Sequence, residues 1–183
     1  MNKKICLSII SGLILSVIFS WNIFPQKKPT ADIDGSIVTV GDKAPNFSVE
    51  MLDGSKLELS KMKGKVVLLN FWATWCGPCM MEFKVIPEKL LKRFGTKADF
   101  VFLPISREET RSTVKNKMEQ LKKEGIDFPV GLDPKKRIYP LYATQYIPRN
   151  YLIDRDGKVV YTSIGYTENE FEILINKLEE LLK

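Results

Sequence analysis

The sequence predicts an α/β fold, with helices packed on one mixed sheet in the order β-β-β-α-β-α-β-α-β-β-α. Three observations carry this. Val66-Val67-Leu68-Leu69-Asn70-Phe71-Trp72-Ala73 is apolar and partly β-branched, so it reads as a buried strand, and a helical stretch follows it closely. Phe100-Val101-Phe102-Leu103-Pro104-Ile105 repeats the arrangement, with a charged amphipathic helix after it. The chain then closes with a hairpin and a last amphipathic helix.

Each element has its own signal. Phe47 to Met51 and Leu57 to Leu59 flank Asp53-Gly54, a good hairpin turn. Cys76 to Phe94 reads as a helix with Phe83, Leu90, Leu91 and Phe94 on one face and Pro87 as a kink. Thr110 to Glu124 carries Val114, Met118 and Leu121 at helical spacing, and Gly125 ends it. Phe128 to Leu132 is a short strand placed at a sheet edge because it contains Pro129. Lys136 to Tyr142 is a candidate short helix. Asn150 to Ile153 and Val159 to Ser163 form a hairpin across Asp156-Gly157. Thr167-x-x-Glu170 is a capping box for a helix that buries Phe171, Leu174, Ile175, Leu178, Leu181 and Leu182.

The N-terminus reads differently. Ile5 to Phe24 is uncharged and follows Asn2-Lys3-Lys4, long enough to cross a bilayer as a helix. A cleaved signal peptide and an uncleaved signal-anchor are both open for residues 1–24. The length and the poor cleavage site at Ile18-Phe19-Ser20 fit the anchor better. Either way the rest of the chain is expected outside the cytoplasm. Residues 25–37, with Pro25, Pro29 and Gly35, read as a tether, and 38–183 as one globular domain. Cys6 lacks the apolar run that a lipidation signal needs and reads as a lone thiol in the apolar segment.

Charge and composition exclude several functions. The net charge is +6, but four of the 28 basic residues (Lys3, Lys4, Lys27, Lys28) lie in the first thirty positions. The remainder sets 24 basic against 22 acidic residues, so the pI of about 9.1 is no sign of nucleic-acid binding. There is no histidine, which removes Cys-His and Ser-His nucleophile pairs and histidine metal ligands. Beyond Cys6, the cysteines are Cys76 and Cys79, one pair with none spare for a structural bridge.

That pair sits in Trp75-Cys76-Gly77-Pro78-Cys79, between a buried strand and a helix, the context that makes this spacing a redox motif. With its flanks the segment resembles the thioredoxin superfamily. Gly41-Asp42-Lys43-Ala44-Pro45-Asn46-Phe47, Asn70 through Cys79, Ile147-Pro148 and Leu152-Ile153-Asp154-Arg155-Asp156-Gly157 resemble the TlpA/ResA branch of thiol-disulfide oxidoreductases, over roughly residues 38 to 183. The resemblance implies a thioredoxin-like fold with an N-terminal hairpin and a strand-helix insertion. It also implies Ile147-Pro148 as a cis-proline loop against the cysteines.

The residues then suggest a chemistry. Cys76, at a helix N-terminus, has its thiolate favoured and is the attacking sulfur. Cys79, one turn on and more buried, resolves the mixed disulfide. Pro78 fits the first helical turn, and Gly77 allows close approach of a client. Trp75 shields one side of Cys76, whereas Trp72 is packing. The Ile147 backbone is available to pair with an extended peptide. Typical thioredoxins carry a buried aspartate where this chain has Asn70, which cannot titrate. Glu82, three residues after Cys79, is the substitute proton carrier by resemblance; the plainer reading is a surface carboxylate in an early helical turn. Arg149 either attracts acidic clients or is merely solvated. The family's helix-kinking proline is absent at Phe83 and Lys84.

The expected activity is extracytoplasmic protein-disulfide reduction through the Cys76–Cys79 pair, with no bound cofactor or metal. Its clients would be disulfide-containing proteins, apocytochromes c among them by resemblance, and its electrons would come from a transmembrane thiol donor. A disulfide-forming oxidase would use the same residues with the arrow reversed. A peroxiredoxin-like antioxidant would need threonine where Ala73 stands. Covalent haem attachment would need histidine where Met80 stands. A membrane-tethered client-binding module is a separate class that nothing in the sequence excludes.

Overall fold

A computed structural model describes residues 32–183, so the apolar run, Cys6 and most of the tether lie outside the described residues. Seven strands form one sheet: β1 (Ser48–Met51), β2 (Lys56–Glu58), β3 (Val66–Trp72), β4 (Phe100–Arg107), β5 (Gly131–Asp133), β6 (Arg149–Ile153) and β7 (Val159–Ile164). Their spatial order is β2-β1-β5-β4-β3-β6-β7. The β3–β4 and β4–β5 pairs are parallel, and the others are antiparallel. The helices are α1 (Gly77–Ile86), α2 (Lys92–Phe94), α3 (Arg111–Lys123), α4 (Tyr139–Tyr142) and α5 (Glu168–Leu181), with a 3-10 turn at Leu59–Met62.

Alternation along the buried strands divides the core. Val66, Leu68 and Trp72 of β3 face the layer of α1, α3 and α5, where Phe83, Ile86, Val114, Met118, Leu174 and Leu178 pack. Val67, Leu69 and Phe71 face the other layer, with Phe47, Leu59, Met62, Tyr139 and Tyr142. By the same alternation Asn70 and Asn150 point toward α1. This is how two polar residues come to lie in an otherwise apolar layer.

The element order agrees with the sequence reading, and three details refine or correct it. β5 is not an edge strand: it lies between β1 and β4. Its ladder starts at Gly131, so Pro129 precedes it and removes no ladder donor. The kink expected at Pro87 within the 76–94 helix takes the form of a π-helical turn (Pro87–Leu91), in which the Lys92 N–H reaches the Pro87 carbonyl. Proline has no N–H for the carbonyl one turn back, and the wider turn absorbs that gap. Glu82 therefore sits in regular helix.

Third, the described end of the tether is part of the globular body. Ser36 pairs with Ala143, and the Ile37 and Val38 amides both donate to the Tyr142 carbonyl. The capping box of α5 is half formed: Thr167 Oγ1 accepts from the Glu170 N–H, while the Glu170 carboxylate takes the Tyr161 hydroxyl instead. Among the described residues no helix is long and apolar enough to cross a membrane.

Candidate active site

β3 delivers the cysteines. The chain leaves it at Trp72, turns through Ala73-Thr74-Trp75 and enters α1, with Cys76 as the N-cap. The Cys79 N–H donates to Cys76 Sγ at 3.2 Å, so the sulfur itself caps the helix. The two sulfurs are bonded, and the Cα atoms are 5.2 Å apart. Cys76 keeps 4% exposure and Cys79 none, which makes Cys76 the outer sulfur. Gly77 and Pro78 cover the first turn and are exposed. A Cβ added at Gly77 would meet nothing within 4 Å, so the space above it is open.

The Ile147–Pro148 peptide bond is cis, and the Ile147 carbonyl oxygen lies 3.7 Å from Cys76 Sγ. The Pro148 carbonyl is tied to the Gly165 N–H beyond β7, which anchors the loop from its other side. Trp75 and Tyr146, 68% and 58% exposed, stand next to this contact, one on each loop. Trp72 is fully buried against Phe83, with ring centroids 4.8 Å apart, in keeping with a packing role.

Glu82 is not a surface carboxylate. It is 1% exposed, one turn after Cys79 on the face of α1 that meets the sheet. Asn70 Nδ2 donates to Oε2 at 2.9 Å, and Asn150 Nδ2 donates to Oε1 at 2.6 Å. Asn70 Nδ2 also reaches Asn150 Oδ1 at 2.8 Å, and the two asparagines are direct partners in the β3–β6 register. Burial pushes the Glu82 carboxyl up to about 7, against the opposing pull of the Asn150 and Asn70 donors. A carboxyl with that affinity can take or release a proton near neutrality. Asn150 was not expected at the site. The only signal for it was a second amide in a strand otherwise made of buried residues.

A second buried carboxylate holds the turn before Cys76. Glu109, 8% exposed, accepts from the Thr74 N–H at 2.9 Å, the Thr74 hydroxyl at 2.5 Å and the Ser106 hydroxyl at 2.6 Å. In sequence Arg107-Glu108-Glu109 looks like a solvated charge run, so nothing local marked it. Arg149 corrects another expectation. It is 1% exposed and donates to the Gln145 carbonyl at 3.0 Å, Ser36 Oγ at 2.8 Å and the Asp34 carbonyl. A guanidinium spent this way cannot attract acidic clients.

Among the described residues no group of cysteines and carboxylates is placed to hold a metal ion. Clefts of about 560 Å³ beside Met51 and Phe128, about 270 Å³ beside Leu91 and Phe100 and about 250 Å³ beside Lys43 and Met62 include none of the cysteine-site residues.

Comparison with known proteins places this geometry. The Redoxin family profile matches residues 39–182. The chain belongs to the Redoxin family. This Redoxin is 38% identical over 146 residues to the thiol-disulfide oxidoreductase ResA of Bacillus thuringiensis (strain Al Hakam), covering 79% of this chain and 82% of the relative. It is 34% identical over 165 residues to ResA of Bacillus subtilis (strain 168), covering 90% and 88%. Among solved structures, a candidate protein disulfide isomerase from Bacteroides thetaiotaomicron matches with a TM-score of 0.75 at 39% identity, covering 81% of this chain and 92% of that one. This Redoxin is therefore a ResA-like member of the thioredoxin superfamily and a thioredoxin-like thiol-disulfide oxidoreductase.

Proposed function

We propose that this protein reduces protein disulfides outside the cytoplasm, held at the membrane by residues 1–24 and acting through Cys76, Cys79 and Glu82. The observation that carries the reading is the Cys76–Cys79 disulfide at a helix N-terminus, with the Ile147 carbonyl 3.7 Å from the outer sulfur. The bonded pair is the oxidised state, the one reached after a client has been reduced.

In the reduced state the helix N-terminus favours the Cys76 thiolate. That thiolate attacks one sulfur of a client disulfide. The client S–S bond breaks, a mixed disulfide forms, and the departing client thiolate takes a proton. Glu82, as the carboxylate, then accepts the proton of Cys79. The Cys79 thiolate attacks Cys76 Sγ, closes the internal disulfide and expels the second client thiolate. That second thiolate takes the proton held by Glu82, and the first takes its proton from solvent, so two electrons and the Cys79 proton have passed to the client with no bound cofactor or metal. Trp75, Gly77 and Pro78 line the approach, and the Ile147-Pro148 backbone aligns an extended client chain.

Supply of electrons from a transmembrane thiol donor completes the cycle. Disulfide-bearing proteins of the periplasm or its equivalent are the client class, apocytochromes c included. The Gly77-Pro78 dipeptide supports the reducing direction by its likeness to reducing thioredoxins. The test is the equilibrium of the Cys76–Cys79 disulfide against a dithiol redox buffer. A potential near thioredoxin's, about −270 mV, is expected; one near about −120 mV would reverse the arrow and make this a disulfide-forming oxidase.

A further inference from the structure

Residues 32–38 are sewn to the loop that carries Pro148. Arg149 binds the Asp34 carbonyl and Ser36 Oγ from one side of that loop. The Thr144 N–H donates to the Gly35 carbonyl at 2.8 Å, and Gln145 Nε2 reaches the Ile33 carbonyl at 3.4 Å. The direction of the segment follows from its next contacts. The Gly41 N–H bonds the Val159 carbonyl, and the Ala44 N–H bonds that of Gly157, in the β6–β7 turn. That turn and Ile147-Pro148 lie at opposite ends of β6. The chain therefore enters the domain beside the disulfide and runs away from it.

Three apolar side chains stand exposed around this entry point. Ile33 is fully exposed, Trp75 68% and Tyr146 58%. Ile33 neighbours Gln145 through its carbonyl, Tyr146 follows Gln145, and Trp75 precedes the sulfur that Ile147 touches. Between Phe24, the end of the uncharged run, and Asp32 lie seven residues, 25–31. They reach at most about 25–30 Å when fully extended.

We propose that the face bearing the Cys76–Cys79 disulfide is apposed to a lipid bilayer, with Trp75, Tyr146 and Ile33 resting in its headgroup layer. The proposal rests on the reading of residues 1–24 as an uncleaved anchor. A tether of that length, leaving from the active-site end, holds that end at the membrane rather than the end that carries the β6–β7 turn. Trp and Tyr are the side chains that favour the interface, because each has an apolar body and a polar tip. The arrangement offers the disulfide to thiols that lie at the bilayer surface, where a transmembrane donor exposes its own.

The test uses the full chain in vesicles of phosphatidylcholine and phosphatidylglycerol, with and without bromine on the acyl chains. The chain holds three tryptophans, Trp21, Trp72 and Trp75. A W21F variant removes the indole of the apolar run, and a W21F/W75F variant leaves the buried Trp72 alone. The expected result is that both variants float with the vesicles. Bromine then removes the Trp75 share of the W21F emission and leaves W21F/W75F unchanged. A chain that does not float overturns the anchoring, and the orientation with it. A floating chain whose W21F emission ignores bromine overturns the orientation alone, as does quenching that persists in W21F/W75F.

Discussion

Asn150 Nδ2 donates to Glu82 Oε1 across 2.6 Å, joining β6 to α1 at a fully buried carboxyl. Asn70, opposite Asn150 in the register, holds the other carboxylate oxygen. Two amide donors stabilise the charged form, and burial opposes them. Burial wins, since the carboxyl still lies up at about 7. The balance gives the site a proton acceptor that can titrate near neutral pH.

Removing the titratable group separates the two steps of exchange. With E82Q, resolution by Cys79 should slow by about 10²-fold, the low end for a lost general base, while the attack by Cys76 stays within about twofold. Rapid-quench trapping of the mixed disulfide reads both steps. An unchanged resolution rate would remove Glu82 from the mechanism.

Asn150 sets where Glu82 titrates. A hydrogen bond to a charged acceptor contributes about 1.5–3 kcal/mol, or roughly one to two pH units. N150A should therefore move the inflection of the resolution rate upward from about 7 by about that amount. A downward shift would mean that water or another donor replaces the amide and that burial no longer dominates.

Stability should fall as pH rises through this window. Glu82 holds its proton to about 7 in the folded protein but only to about 4.5 as a free group, so the folded state binds more protons between those values. Deprotonation then costs the folded state more, by on the order of 3 kcal/mol at the limit. Urea midpoints of the oxidised protein should decline from pH 5 to pH 8, and the Glu82 part of that decline should be absent in E82Q. Parallel curves for the two proteins would contradict the assignment.

Arg149 should control the attachment of the N-terminal segment. R149M keeps much of the buried volume but leaves the Asp34 and Gln145 carbonyls and Ser36 Oγ without their donor. The buried Ser36 hydroxyl left unmet costs about 1–3 kcal/mol, and the half-buried carbonyls less. The Ile37 and Val38 amides should then exchange with solvent at least about tenfold faster, while β3 stays protected. Equal exchange in both proteins would show that the segment holds without the guanidinium.

The element order, the turn glycines and the strand–Cys-x-x-Cys–helix unit were legible in the sequence, each a local matter of period, backbone freedom or spacing. The proline against the cysteines came from the family resemblance, because its contact spans 71 positions. Glu82 was found through the family resemblance at its offset from Cys79, but its burial was not, because a helix period says which residues share a face and not what covers it. Asn150, Glu109 and the true partners of Arg149 were missed for a related reason. Each acts on a residue brought near by strand pairing or loop packing: Glu82 is 68 positions from Asn150, Thr74 is 35 from Glu109, and Ser36 is 113 from Arg149. The interior place of β5 likewise depends on β1 folding back across it. By itself the sequence determined the kind of fold and the sulfur chemistry. Only the tertiary structure decided the surroundings of the second carboxyl and the end of the domain at which the chain enters. Solvent exclusion and long-range hydrogen-bond partners exist only once distant strands are paired.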